Sequence, residues 1–89
     1  MKEYIVEYLG TVFFLYVILV SDARYAPIVI GSALAFSIYM GGPISGGNFN
    51  PAVTVMLALS KKQRMNTIAP YVIAQLAAAF TVVELYKRM

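Results

Sequence analysis

The sequence predicts an all-α membrane protein: three transmembrane helices and one re-entrant half-helix. Three observations carry the prediction. Of the 89 residues, 61% are hydrophobic and only 12% are charged, about half the charged share of a soluble domain. The apolar residues gather into three spans separated by short polar turns. Between the second and third spans, a glycine-rich loop runs into Asn50-Pro51-Ala52 and a helix too short to cross a bilayer. At this length one domain, residues 1–89, is the limit, and a soluble core would be marginal.

The first span covers about residues 4–20. Met1-Lys2 before an apolar run resembles the start of a signal peptide, but Glu3 and Glu7 spoil the basic leader and further apolar spans follow, so it reads as an uncleaved membrane helix. Ser21-Asp22-Ala23-Arg24 is a polar turn, and the second span covers about 27–40. Residues 41–49 read as irregular backbone, because Gly46 and Gly47 open conformations closed to other residues and Pro43 removes a donor. Such backbone cannot face lipid, where each unsatisfied group costs several kcal/mol. It must line water or be covered by protein.

Asn50 is a preferred N-cap and Pro51 a preferred first helical residue, so a helix is predicted over 51–59. At 1.5 Å per residue it is ~14 Å long, half a bilayer core. Its N-terminus would bring partial positive charge and free N–H donors to the membrane midplane. The Asn50 side-chain oxygen would accept from the N–H of Ala52 or Val53, leaving its NH2 aimed outward. Backbone carbonyls of Ser45, Gly46, Gly47 and Asn48 would line the approach as acceptors for a dehydrated solute. A polar loop at 60–64 leads to the third span, about 68–86. Tyr4, Tyr8, Tyr25, Tyr71 and Tyr86 lie near span ends, where amphipathic rings favour the interface. Gly10, Gly31, Ala35, Ala74, Ala77 and Ala78 read as small residues that let helices approach.

Composition excludes several functions. The chain has no cysteine and no histidine, so disulfides, thiolate or imidazole metal sites and His-based catalysis are ruled out. Four carboxylates form no catalytic constellation, and no cofactor is called for. The net charge of +3 lies at span ends and in loops; without a basic stripe it does not describe a nucleic-acid binder.

The run Gly42-Pro43-Ile44-Ser45-Gly46-Gly47-Asn48-Phe49-Asn50-Pro51-Ala52-Val53-Thr54 resembles the first signature motif of the aquaporin and glyceroporin (major intrinsic protein) family. Glu7-Tyr8-Leu9-Gly10-Thr11 resembles that family's first helix, Ser32-Ala33-Leu34-Ala35-Phe36 its second, and Tyr71-Val72-Ile73-Ala74-Gln75-Leu76 its third. The resemblance covers nearly the whole chain but only the N-terminal half of the family fold, which has two such halves in inverted topology. It implies a passive channel for water or small neutral solutes such as glycerol. It also implies that Glu7, and with it Gln75, braces the re-entrant loop from within the spans. Where the family more usually has histidine, this chain has Asn48, which cannot titrate near neutrality. Val53 stands where the family's second motif carries a filter arginine, and Ile30 matches the second-helix position of the same constriction. A pore made from two copies would have an apolar, arginine-free filter.

With the N-terminus inside, Lys2, Lys61, Lys62 and Arg64 would be cytoplasmic and Arg24, Lys87 and Arg88 external. A bias of one charge does not fix orientation. It fits dual topology and an antiparallel homodimer enclosing one pore, with four pores per assembly by analogy to the family's tetramer. Two alternatives stand: a half-channel completed by a separate, arginine-bearing chain, and a non-conducting protein that modulates a full-length channel. Lys61, Lys62 and Arg64 read as a membrane anchor, with a lipid-headgroup site as the sharper option. Glu84 reads as interfacial.

Overall fold

The computed structural model describes residues 1–89, and its regular structure is entirely helical. Helix α1 is Lys2–Val20, α2 is Ala26–Ser45, α3 is Pro51–Leu59, and a 3-10 turn at Met65–Thr67 leads into α4, Ile68–Lys87. The segments Lys2–Val20, Ala26–Ser45 and Met65–Lys87 are long and apolar enough to cross a membrane. The molecule is 38 Å along its longest axis, enough to cross a ~30 Å hydrocarbon core and enter the headgroups on both sides.

Local chemistry sets the ends. The Asp22 carboxylate accepts the Arg24 N–H at 2.8 Å and closes the turn after α1, a side-chain mimic of a backbone turn. Pro27 then sits in the first turn of α2, where its missing N–H costs nothing. The far end of α2 differs from the sequence-based expectation. Irregular backbone is expected from Gly41, yet the helix continues through Pro43 to Ser45, and the irregular stretch shrinks to residues 46–50. Pro43 lies in the last turn, where it removes one helical bond, that to the Tyr39 carbonyl. A mid-helix glycine costs about 1 kcal/mol, less than the several kcal/mol of an unsatisfied peptide group in lipid. The helix stops where Gly46 turns left-handed at φ 90° and its N–H bonds the Gly42 carbonyl at 2.9 Å.

Helix α1 lies between α2 and α4, whose backbones do not pack together and which meet at the Tyr71 hydroxyl and the Ser45 carbonyl. It runs antiparallel to α2 and parallel to α4: Tyr4 stacks edge-on against Tyr71 at 5.8 Å, and the Tyr8 hydroxyl bonds that of Thr81. Helix α3 packs along α4 and touches neither α1 nor α2. The burial pattern inverts that of a soluble protein. The buried set contains eight polar or charged residues and six hydrophobic ones, while Ile28, Tyr39, Phe80 and many other large apolar side chains are exposed. Lipid is the solvent this distribution suits, since apolar surface gains nothing by hiding from it and polar groups must pair internally.

Two expectations are corrected here. Tyr8 and Tyr71 are not interfacial anchors: Tyr8 bonds across the α1–α4 seam, and Tyr71 is buried. Of the small residues, Ala78 is fully buried, whereas Gly31, Ala35 and Ala77 are exposed. Gly10 serves a different purpose from helix approach. With Gly41 it forms a notch for the Phe49 ring, and a Cβ on Gly41 would lie 2.9 Å from both Phe49 Cζ and Val6 Cγ1.

A Cβ on Gly10 would overlap the Phe49 ring outright. Gly10→Ala is therefore expected to lower stability by about 1–3 kcal/mol, the usual cost of overpacking. A lower midpoint in a detergent thermal melt, against an unchanged one for Gly31→Ala, checks it.

Candidate functional site at the re-entrant loop

Glu7 lies on the first helix, fully buried, where a carboxylate is costly and must be matched. No lysine or arginine pairs with it. Four donors do. Its Oε2 accepts the Ser45 hydroxyl at 2.7 Å and the Asn48 N–H at 3.0 Å. Its Oε1 accepts the Phe49 N–H at 2.8 Å and Gln75 Nε2–H at 3.0 Å. Four donors fill the acceptor sites of a carboxylate. One side chain thus holds the end of α2, two consecutive amides of the loop, and α4.

A second tier surrounds it. The Thr54 hydroxyl on α3 accepts from Gln75 Nε2 at 2.9 Å and from Asn48 Nδ2 at 2.8 Å. The Tyr71 hydroxyl donates to the Ser45 carbonyl at 2.7 Å. Asn48 Nδ2 also donates to Gln63 Oε1 at 3.2 Å, and Gln63 Nε2 to the Thr67 hydroxyl at 2.8 Å. The amide oxygens Asn48 Oδ1 and Gln75 Oε1 are buried without a donor from the chain, the setting in which a trapped water is usually found.

Backbone strain is concentrated in the same loop. Gly46, Gly47 and Phe49 all have positive φ, 90°, 64° and 54°. Two glycines reach that region freely, but for an aromatic residue it is uncommon. Phe49 is held there from both ends, its N–H on Glu7 and its ring in the Gly10–Gly41 notch. Gly47 packs with its Cα side against Ile38, where an added Cβ would lie 3.3 Å from Ile38 Cα.

This clamp aims Asn50. Its backbone is extended, its Oδ1 accepts the Ala52 N–H at 2.7 Å, and the residue is exposed. With the oxygen fixed by the cap, the amide NH2 points away from α3 with no partner in the chain. Pro51 and Ala52 are exposed beside it, and Val53 and Ile30 are half-buried. The exposed face of α3, formed with Val55, Met56 and Leu59, borders an open cavity.

The predicted site residues thus divide into two groups. Asn50, Pro51 and Ala52 lie on the open side, with the half-buried Val53 next to them in α3, whereas Ile30 lies on α2, which makes no contact with α3. Glu7, Gln75, Ser45, Gly47 and Asn48 are buried behind them. For Ser45 this is a correction: its carbonyl is engaged by Tyr71 rather than lining an approach. Gly46 remains exposed. Tyr71, Thr54 and Gln63 belong to the clamp and were not anticipated. Polar residues at 54 and 63 flanking an N-capped half-helix were the available signal, and a tyrosine three residues into a span gave none.

Replacing Glu7 by Gln would set an amide NH2 against two of the four donors. At 1–3 kcal/mol for each buried unsatisfied group, the loop is expected to loosen by about 3 kcal/mol. Amide exchange at Asn48 and Phe49 should accelerate on the order of a hundredfold, while exchange in the middle of α2 stays unchanged.

The chain matches the major intrinsic protein family over residues 1–89. It is 34% identical over 85 residues to a glycerol uptake facilitator protein-like 6 of Lactiplantibacillus plantarum, which covers 89% of this chain and 39% of that protein. It is 33% identical to aquaporin-5 of Sus scrofa, over 89% of this chain and 33% of the relative. To aquaporin Z of Bradyrhizobium diazoefficiens it is 36% identical, over 96% of this chain and 40% of the relative. The chain spans between 33% and 40% of the length of these relatives. No solved structure matches it significantly. With a matched polar clamp behind an N-capped half-helix and a family match from end to end, the chain belongs to the major intrinsic protein family.

Proposed function

We propose that the chain forms a passive membrane channel for water and small neutral solutes such as glycerol, completed by an inverted second copy of itself. The observation that carries the reading is the exposed Asn50 amide, fixed by its own cap at the free N-terminus of α3. A solute oxygen passing that point accepts from the Asn50 NH2, and two such groups facing each other would orient a water so that its hydrogens point outward along the file. That arrangement interrupts a one-directional proton wire, and two half-helix N-termini, each equivalent to roughly +0.5 charge, repel cations.

The need for a second half follows from what the chain leaves open. Helix α3 packs only on α4 and the 3-10 turn before it, so within this chain the Asn50 side has no opposite wall. An inverted copy is the partner of choice because the flanking cations are nearly balanced: Lys2, Lys61, Lys62 and Arg64 at one end, Arg24, Lys87 and Arg88 at the other. Two-fold symmetry is also the commonest oligomeric arrangement. Four such pores per assembly would follow the family's habit. Val53 and Ile30 give the constriction an apolar lining. This supports a filter open to glycerol, in keeping with the relatives named as glycerol and propanediol uptake facilitators.

Purified chain reconstituted in vesicles is expected to speed osmotic shrinkage and to admit glycerol. Asn50→Asp still caps the helix but replaces donors with a charge, and should reduce both fluxes at least tenfold at equal protein content. Vesicles that pass water while excluding glycerol would overturn the filter reading; no flux at all would leave the modulator or the separate partner chain.

Dual insertion has its own check. Arg24→Cys and Arg64→Cys variants, probed from outside with an impermeant thiol reagent, should each label in part. Labelling of one position alone would exclude the inverted homodimer.

A further inference from the structure

The loop between α3 and α4 carries three cations that no carboxylate in the chain engages. Lys61, Lys62 and Arg64 are all exposed, and the ion pairs of the molecule are made by other groups. Glu3, the carboxylate at this end, lies within Coulombic reach of Arg64 but forms no bridge with it. At the opposite end Lys87 and Arg88 both share Glu84, at 3.8 and 3.5 Å, and Arg24 lies over the Tyr25 ring.

The backbone gathers the free cations. Lys62 N–H bonds the Leu57 carbonyl at 2.9 Å and Lys61 N–H the Ala58 carbonyl at 3.1 Å, the paired closure of a helix end whose left-handed residue is usually glycine. Here that residue is Lys61, at φ 65°. The sharp reversal sets Lys61, Lys62 and Arg64 around one cavity of about 390 Å³, whose other walls include Ala58 and Met65. Met65 opens the membrane-spanning segment Met65–Lys87 and is 59% exposed. The depression therefore joins a cationic rim to the exposed apolar side chain of Met65, at the start of that segment.

We propose that this cavity binds the phosphate of an anionic membrane lipid, with Lys61, Lys62 and Arg64 on the phosphate and Met65 against the first carbons below it. Charge complementarity selects the anion. The apolar wall favours a lipid over free phosphate, which would leave that wall uncovered. Gln63 lies inside the cationic run, and its side chain links Asn48 to Thr67. A lipid that stills the loop therefore stills Asn48, two residues from the Asn50 cap. This site goes beyond the channel reading and does not depend on conduction.

Native mass spectrometry of the detergent-solubilised chain titrated with phosphatidylglycerol or phosphatidylcholine tests the site. Saturable binding of phosphatidylglycerol, well above phosphatidylcholine, is expected. The variant Lys61→Gly/Lys62→Gln/Arg64→Gln should bind roughly a hundredfold more weakly, at about fivefold per cation. Glycine suits the Lys61 backbone, so the turn survives. If the triple variant does not fold, Arg64→Gln alone should lose about fivefold. Lys87→Gln/Arg88→Gln, which removes two cations from the other end, should bind as the unmodified chain does. Equal loss in that control, equal retention of both lipids, or unchanged affinity in the triple variant would each overturn the proposal. Displacement of the lipid by millimolar inorganic phosphate would reassign the cavity to a free anion. Amide exchange reads the coupling: phosphatidylglycerol should slow exchange at Asn48 in the unmodified chain but not in Gln63→Ala, and equal slowing in both would refute the link.

Discussion

The Glu7 carboxylate is the constraint on which the site depends. It receives the end of α2, two adjacent loop amides and α4 at once. A charge placed inside a membrane protein is tolerable when every acceptor site is filled, and here the filling groups are those the loop must satisfy to leave water. The carboxylate and the loop solve each other's problem. Each alone would cost several kcal/mol in hydrocarbon; together they fix Phe49 at positive φ and Asn50 in extended backbone at the exposed end.

This division of labour explains why one side of the chain is finished and the other is not. The face toward α1 and α4 has paired polar groups and a buried aromatic, whereas the face of α3 bearing Pro51, Ala52, Val55 and Met56 stands open. In a bilayer, a helix N-terminus with unpartnered amide hydrogens is stable only beside water or protein. The open side of α3 is therefore where the chain needs water or protein rather than lipid.

Much of this was legible in the sequence because lipid simplifies the rules. Three apolar spans and the Asn50-Pro51 start of α3 follow from hydropathy and capping chemistry, and α3 has the bounds that chemistry implies. Glu7 stood out as a carboxylate within a span. The end of α2 was harder to read, because glycine and proline signal a break in water but are overridden where peptide groups have nothing else to bond. Tyr71 and Gln63 were missed for a different reason. Their roles depend on which helices are parallel and on a loop folding back, facts of three-dimensional register that no local pattern of residues carries. Gly10 was noticed as small, but its partner, Phe49, lies 39 positions away in the chain.

The Phe49 notch also imposes an order of events during membrane insertion. Its two walls, Gly10 and Gly41, belong to α1 and α2, so the seat does not exist until those helices have paired. The ring precedes α3 in the chain, and α4, which supplies Gln75 and Tyr71, follows both. If the helices pair in the order in which they leave the ribosome, a helical hairpin precedes docking of the loop, and α4 closes the seam after it. During that interval the loop amides are held by Glu7 and Ser45 alone. A chain without α4 would keep those three amide bonds but lose the Tyr71 bond to the Ser45 carbonyl and the Gln75 bond to Glu7.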